Sequence, residues 1–188
     1  TAILEFDSIK VAVSGLQKIK DAQIPIYIIA GSHDYSPSGK TMLDVLEEAG
    51  LLIDVMRGTV EGDKLKLKWT QDPKTGVKMT GILGKRGSLD RHYYEDLDRD
   101  SLESEDGEKI FFFHTSIGEL KPKYLEKMEA YPASFLPKYC DYYAGGHVHI
   151  TENGKPLIQE WVMGLMQANG LAEKREASSE KEASPEET

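Results

Sequence analysis

Tyr142-Tyr143-Ala144-Gly145-Gly146-His147-Val148-His149 opens on an apolar run and closes on two glycines and two histidines. Two other stretches end in the same way, Ile28-Ile29-Ala30-Gly31-Ser32-His33-Asp34 and Phe111-Phe112-Phe113-His114. A short continuous apolar run suits a strand buried on both faces. When such a strand closes on Gly or His, it delivers an imidazole to the rim of its sheet. Neutral imidazole is the commonest protein metal ligand, and it suits transition metals better than Mg2+. Four of the five histidines therefore predict one shared metal site in an α/β protein. The fifth, His92, lies in a charged stretch and is read as ordinary.

Working outward, residues 4–22 carry Ile9, Ala12, Val13, Leu16 and Ile19 at helical spacing. Ile24 to Ala30 reads as a strand, and Thr41 to Ala49 as a helix stopped by Gly50. Helix, strand, loop and helix in that order imply an α/β layer. Residues 52–84 read as several short strands, two of them joined by the turn Asp72-Pro73-Lys74-Thr75-Gly76. A charged helix is expected over 90–99, then an acidic loop through Gly107. Lys109 to Thr115 and Asp141 to Gly145 follow as strands, with a short helix at Lys123 to Glu129 between them. Asn153-Gly154 is a hairpin signal. The segment 172–188, dominated by Glu, Lys, Ser and Ala, is expected to be a disordered charged tail.

With 188 residues the chain can bury one core, and its 39% hydrophobic and 29% charged residues fit a globular protein with no membrane-spanning run. The single Cys140 excludes an internal disulfide and is read as a packing residue, since nothing beside it would lower its pKa. A net charge of −9 argues, taken whole, against a nucleic-acid partner. That average hides an asymmetry: Arg57 to Arg91 carries +5 and the remainder −14. Lys64, Lys66 and Lys68 alternate with apolar residues, so all three share one face of a strand. Two readings stay open for them. The favoured one is the solvated face of a half-buried hairpin, and the other is a stripe that contacts phosphates.

The loop after the first strand also admits two readings. Asp34-Tyr-Ser-Pro-Ser-Gly39-Lys40-Thr41 ends as a phosphate-binding P-loop ends, between a strand and a helix. That pattern needs Gly where Asp34 stands, because backbone amides there wrap an anion that a carboxylate would repel. The alternative joins Gly31-Ser32-His33-Asp34 to the later histidines. Those residues resemble the Gly-Asn-His-Asp/Glu motif of calcineurin-like metallophosphoesterases, and Gly146-His147-Val148-His149 resembles their Gly-His-x-His motif. Gly84-Lys85-Arg86-Gly87-Ser88, His114-Thr115-Ser116-Ile117-Gly118-Glu119-Leu120 and the run from Phe135 to His147 narrow the resemblance. Together they are similar to the nuclease subunit of the double-strand-break repair complex, the Mre-eleven/SbcD type in its archaeal form, over residues 3–158.

The resemblance implies a partial metallophosphoesterase fold, a β-sandwich flanked by helices, over 1–158, with a divergent segment at 159–171. It implies that His114 and His147 bind one of two Mn2+ ions, with Ser32 where the family has a ligating Asn, and that His149 binds the other. His33 would orient or protonate the scissile phosphate, and Asp34 would position His33. Two such ions activate a water and stabilise the phosphate in transit. Lys85 and Arg86, with Lys64, Lys66 and Lys68, are the candidate DNA contacts. The implied activity is exo- and endonucleolytic DNA end processing in a prokaryotic, cytoplasmic, nucleoid-associated protein. The implied partners are DNA, an ATPase of the Rad-fifty/SbcC type and a second copy of the chain.

Three departures qualify that picture. Ser32 is a shorter and poorer ligand than Asn. The family's opening motifs, Asp-x-His and Gly-Asp-x-x-Asp, which supply a bridging aspartate, are absent. Asp90-Arg91-His92 is the one Asp-x-His, and it lies in the charged helical stretch, while Gly62-Asp63 reads as a hairpin turn. Beyond Ile158 the family pattern is lost. The sequence is thus read as an N-terminally truncated nuclease domain that holds at most one ion and is itself inactive. A decayed site serving as a DNA-binding scaffold for the ATPase is the alternative.

Overall fold

The computed structural model describes residues 6–36, 39–121 and 125–147. The chain divides into two compact units, Thr1–Val148 and His149–Thr188, and every described residue belongs to the first. His149, the Asn153-Gly154 turn, the segment 159–171 and the tail 172–188 lie outside the described residues. No described helix is long and apolar enough to cross a membrane.

The architecture is mixed α/β. Helix α1 (Phe6–Asp21) leads to strand β1 (Tyr27–Ile28), helix α2 (Met42–Glu48) and strand β2 (Ile53–Asp54). Strands β1 and β2 pair in parallel. Leu46, Leu51 and Leu52 are buried there, with Val13 and Leu16 of α1 and Ile26 and Ile28 packed against them. α2 begins where its capping signals place it: Thr41 Oγ1 accepts from Asp44 N–H at 3.1 Å, and the Asp44 carboxylate accepts from Thr41 N–H at 2.8 Å. The strand expected over residues 24–30 is ladder-paired only at Tyr27 and Ile28, with Pro25 lacking an amide to donate.

Strands β3 (Gly58–Glu61) and β4 (Lys64–Leu67) form an antiparallel hairpin about Gly62-Asp63. Strand β5 (Thr70–Gln71) pairs antiparallel with β6 (Lys78–Ile82), which lies parallel to β7 (Lys109–His114). β7 in turn lies parallel to β8 (Tyr142–Gly146). The sheet order is β5-β6-β7-β8. Parallel strands are covered on both faces, and the Phe111-Phe112-Phe113 run obliges: all three side chains are buried. Phe111 and Phe113 share their face with Ile82, Tyr94, Leu97, Leu102 and Tyr131, and Leu65 and Leu67 of the hairpin close that core.

The charged helix expected over 90–99 is two helices, α3 (Arg91–Glu95) and α4 (Arg99–Glu103). Leu97 between them is buried and bridges Leu65, and Asp98 caps the second helix by accepting from Ser101 N–H. The pull of one buried leucine on the hairpin outweighs helical continuity. Of the short helix expected over 123–129, residues 122–124 fall outside the described residues, Leu125 is 3-10 helical, and Met128 N–H donates to Leu125 O at 2.8 Å in the turn that follows.

Candidate metal centre

Because β6, β7 and β8 run parallel, their carboxyl ends share one rim, where ligand sites of open α/β sheets form. The end of β1 joins them: Gly84 N–H, just after β6, donates to Ala30 O at 2.9 Å. His114 closes β7 opposite Gly146 of β8. A Cβ built on Gly31 would stand 2.8 Å from Cε1 and 3.1 Å from Nδ1 of His114, and one on Gly146 would stand 2.7 Å from Nδ1. One on Gly84 would meet Cδ2 and lie 2.9 Å from both Cγ and the His114 carbonyl oxygen. Unbonded carbons settle at about 3.5–4.0 Å. Three glycines from three separate segments therefore cradle one imidazole by having no side chain.

His147 follows β8 with φ at +81°, a left-handed backbone that costs a non-glycine residue about 1 kcal/mol or more. Its ring meets that of His114 at a centroid separation of 5.2 Å and an interplanar angle of 70°. Two imidazoles bound to one ion at about 2.0–2.1 Å, near the tetrahedral angle, hold their centroids roughly 5 Å apart. The pair thus fits as part of a ligand set for a transition-metal ion. Among the described residues no group of three His, Cys, Asp or Glu side chains is placed to hold a metal. His149, the third expected ligand, is outside them.

The sheet rim also collects Asp90, which its charged sequence neighbourhood marks as an ordinary surface acid. Asp90 is buried, and burial raises its carboxyl pKa; backbone amides, the Tyr131 hydroxyl and the nearby His147 pull it the other way. Tyr131 OH donates to its Oδ1 at 3.5 Å. The expectation that nothing directs Asp90 to a sheet rim is therefore corrected, because the turn preceding α3 tucks it inward. No spacing rule marks this; the only signal is an acid flanked by Leu89 and the Tyr93-Tyr94 pair. His92 behaves as expected, exposed with its ring on Tyr93 at 4.0 Å.

His33 is exposed beside this rim, and its Nδ1 faces Arg86 Nη2 at 3.3 Å. Arginine only donates, so Nδ1 is the acceptor of this contact. Arg86 Nε also donates to the Ser32 carbonyl at 3.2 Å, which fixes the guanidinium across the loop. Gly87 and Ser88, both with left-handed φ (+66° and +56°), turn the chain there. Ser32 is buried. Asp34 accepts from Gly31 N–H at 2.7 Å, so its carboxylate holds the turn that carries His33.

The remaining cations are mostly engaged. Lys85 Nζ donates to Tyr93 OH at 2.6 Å and lies over that ring. Lys66 pairs with Glu61 at 2.7 Å, Lys64 lines a cleft with Asp98, Asp100 and Glu103, and Lys68 is exposed. The lysines alternate with buried Leu65 and Leu67, as a half-buried hairpin requires. At the start of α2 the Asp44 carboxylate occupies the Thr41 amide, which leaves a negative charge where a P-loop would present open donors. Cys140 is half-buried, and burial raises its thiol pKa, in keeping with a packing role.

No protein-family model matches the chain. Over 146 residues, 76% of its length, the chain is 27% identical to the DNA double-strand break repair protein Mre11 of Methanococcus maripaludis, of which it spans 36%. That is a distant likeness to a DNA-repair protein, over part of that protein's length.

Proposed function

We propose that the chain carries the histidine-rich part of a two-metal phosphodiesterase site that processes DNA ends. His114, His147, His149 and Ser32 are the residues assigned to metal. The observation that carries this reading is the His114–His147 pair at the carboxyl rim of a parallel sheet, at the spacing of two ligands to one ion. The likeness to an Mre11 protein supports it. When bound, divalent ions, Mn2+ above all, polarise the phosphate and generate the attacking nucleophile. The chain's own contribution is positional. The glycine cradle fixes His114, and the strained turn at His147 brings the second ring back to it. Arg86 holds His33 through Nδ1, which leaves Nε2 to meet a phosphate or leaving-group oxygen. Asp34 sets the turn beneath it. DNA, a Rad-fifty/SbcC-type ATPase and a second copy are the partners this reading assigns.

Since the sequence lacks the Gly-Asp-x-x-Asp motif that supplies the bridging aspartate of the resemblance, the reading expects weak binding of a single ion and little hydrolysis by the 188-residue chain. The test is titration of the chain with Mn2+, followed by the ion's paramagnetic resonance. His114→Ala and His147→Ala are each expected to weaken binding by at least about tenfold, since even supporting partners of ligands carry that much. His92→Ala should change nothing. Binding that ignores both rim substitutions overturns the proposal.

A further inference from the structure

A cleft of about 860 Å³ opens beside His33, between the loop that follows β1 and the loop that follows β6. Its wall is apolar, formed by Met42, Leu43 and Leu89, with Tyr35. Leu89 is 66% exposed, unusual for a leucine beside a row of cations. Lys40 and Arg86 stand at its rim, against Asp34, whose carboxylate is turned to the Gly31 amide. Burial and the carboxylates of Asp54, Asp44 and Asp34 push the Tyr35 hydroxyl up to about 12, so the wall stays uncharged.

We infer that this cleft is a base-binding subsite, which takes one unstacked nucleotide of a DNA strand with its base on Leu89 and Met42 and its phosphate on Arg86. Two observations converge on that ligand. The Arg86 guanidinium is already fixed by Ser32 O and His33 Nδ1, so a phosphate meets an ordered fork and pays no rotamer entropy. The apolar side chains of Met42, Leu43 and Leu89 line the same cleft as that fork. A base in duplex DNA keeps its faces stacked and cannot reach a wall, so only an unpaired or flipped base can enter. Lys85, tied to Tyr93, is the lesser phosphate contact of the two adjoining cations. The inference rests on the phosphodiesterase reading for its biological sense, but it requires no metal.

The test is fluorescence anisotropy on the whole chain in the presence of a chelator. It compares a short oligothymidylate, an abasic strand of the same length and a blunt duplex. Oligothymidylate is expected to bind about tenfold tighter than the abasic strand, the size of covering one exposed leucine side chain. Leu89→Ser, at an exposed position, should erase that advantage and leave abasic binding as it was. Arg86→Ala should weaken both strands alike. Equal affinity for the two strands, an equal loss on both with Leu89→Ser, or no binding of either overturns the subsite. The metal-site reading stands or falls separately, on the Mn2+ titration.

Discussion

Gly31→Ala tests whether the His114 ring is held by the absence of neighbouring side chains. The new Cβ would stand 2.8 Å from Cε1 and 3.1 Å from Nδ1 of His114, and 3.3 Å from an Asp34 oxygen. The shortest of these falls roughly 0.7 Å inside ordinary carbon contact. The ring cannot simply retreat, because Gly84 Cα and the β6 end bound its Cδ2 edge and Gly146 its Nδ1 edge. Overpacking of this kind costs about 1–3 kcal/mol. In a His114→Ala background the obstacle is gone. Gly31 is not in the left-handed region, so alanine there gains about 0.4–1 kcal/mol from a stiffer unfolded chain. That gain acts in both backgrounds and cancels, so the two substitutions should couple by the overpacking cost alone, about 1–3 kcal/mol, read as urea midpoints at constant m in a double-mutant cycle. Gly84→Ala is the internal contrast. Its Cβ also lies 2.9 Å from the His114 carbonyl oxygen, which survives in His114→Ala, so most of its cost should persist. A Gly31→Ala penalty that is the same in both backgrounds would refute the cradle.

Other predictions concern the frame around the site. Thr80 is fully buried with its hydroxyl unpartnered among the described residues, so Thr80→Val should be neutral or stabilise by up to about 1 kcal/mol; a loss in the urea midpoint would reveal a hidden partner. Lys109 is buried and donates from Nζ to Glu105 O at 2.6 Å and to Leu102 O at 3.5 Å, at the close of α4. Lys109→Met strands those carbonyls and should cost about 1–3 kcal/mol by the same measurement. Burial raises the Asp54 carboxyl above its ordinary 3.8, with Glu47 adding to it and the Met56 amide opposing. The unfolded chain then releases this proton first, so its contribution to stability falls as pH rises from about 3.8 through the folded value. Asp54→Asn, which keeps an acceptor for Met56 N–H, should stabilise the protein above that window and flatten the slope within it. Urea midpoints collected across the acid range will show whether the two curves converge at low pH.

The strand-end rule carried far in this chain because it depends on local facts: an apolar run, a closing glycine or histidine, a turn. It put His114 and His147 at neighbouring strand ends, and helical spacing with Gly50 as a stop placed α2 within Thr41 to Ala49. What stayed illegible is tertiary. The cradle needs Gly31, Gly84 and Gly146 to meet from segments far apart in sequence, and no single window holds all three. The pairing of Arg86 with His33 spans two loops, so the sequence offered the arginine only as a candidate DNA contact when it is also a clamp. Asp90 looked solvated because its neighbours are charged, and only the fold shows that its turn faces inward. Leu97 broke the expected helix for the same kind of reason, a contact with Leu65 that outranks local propensity.

The parallel order of β6, β7 and β8 carries a kinetic consequence. Each pairing waits on a long crossover, residues 83–108 for the first and 115–141 for the second. Loop-closure entropy must be met before such pairings reward it, which makes a topology of this contact order slow to nucleate. The two rim imidazoles therefore become neighbours only at the end of assembly. A cation that needs both rings recognises the finished sheet alone, and its presence should slow unfolding far more than it hastens refolding.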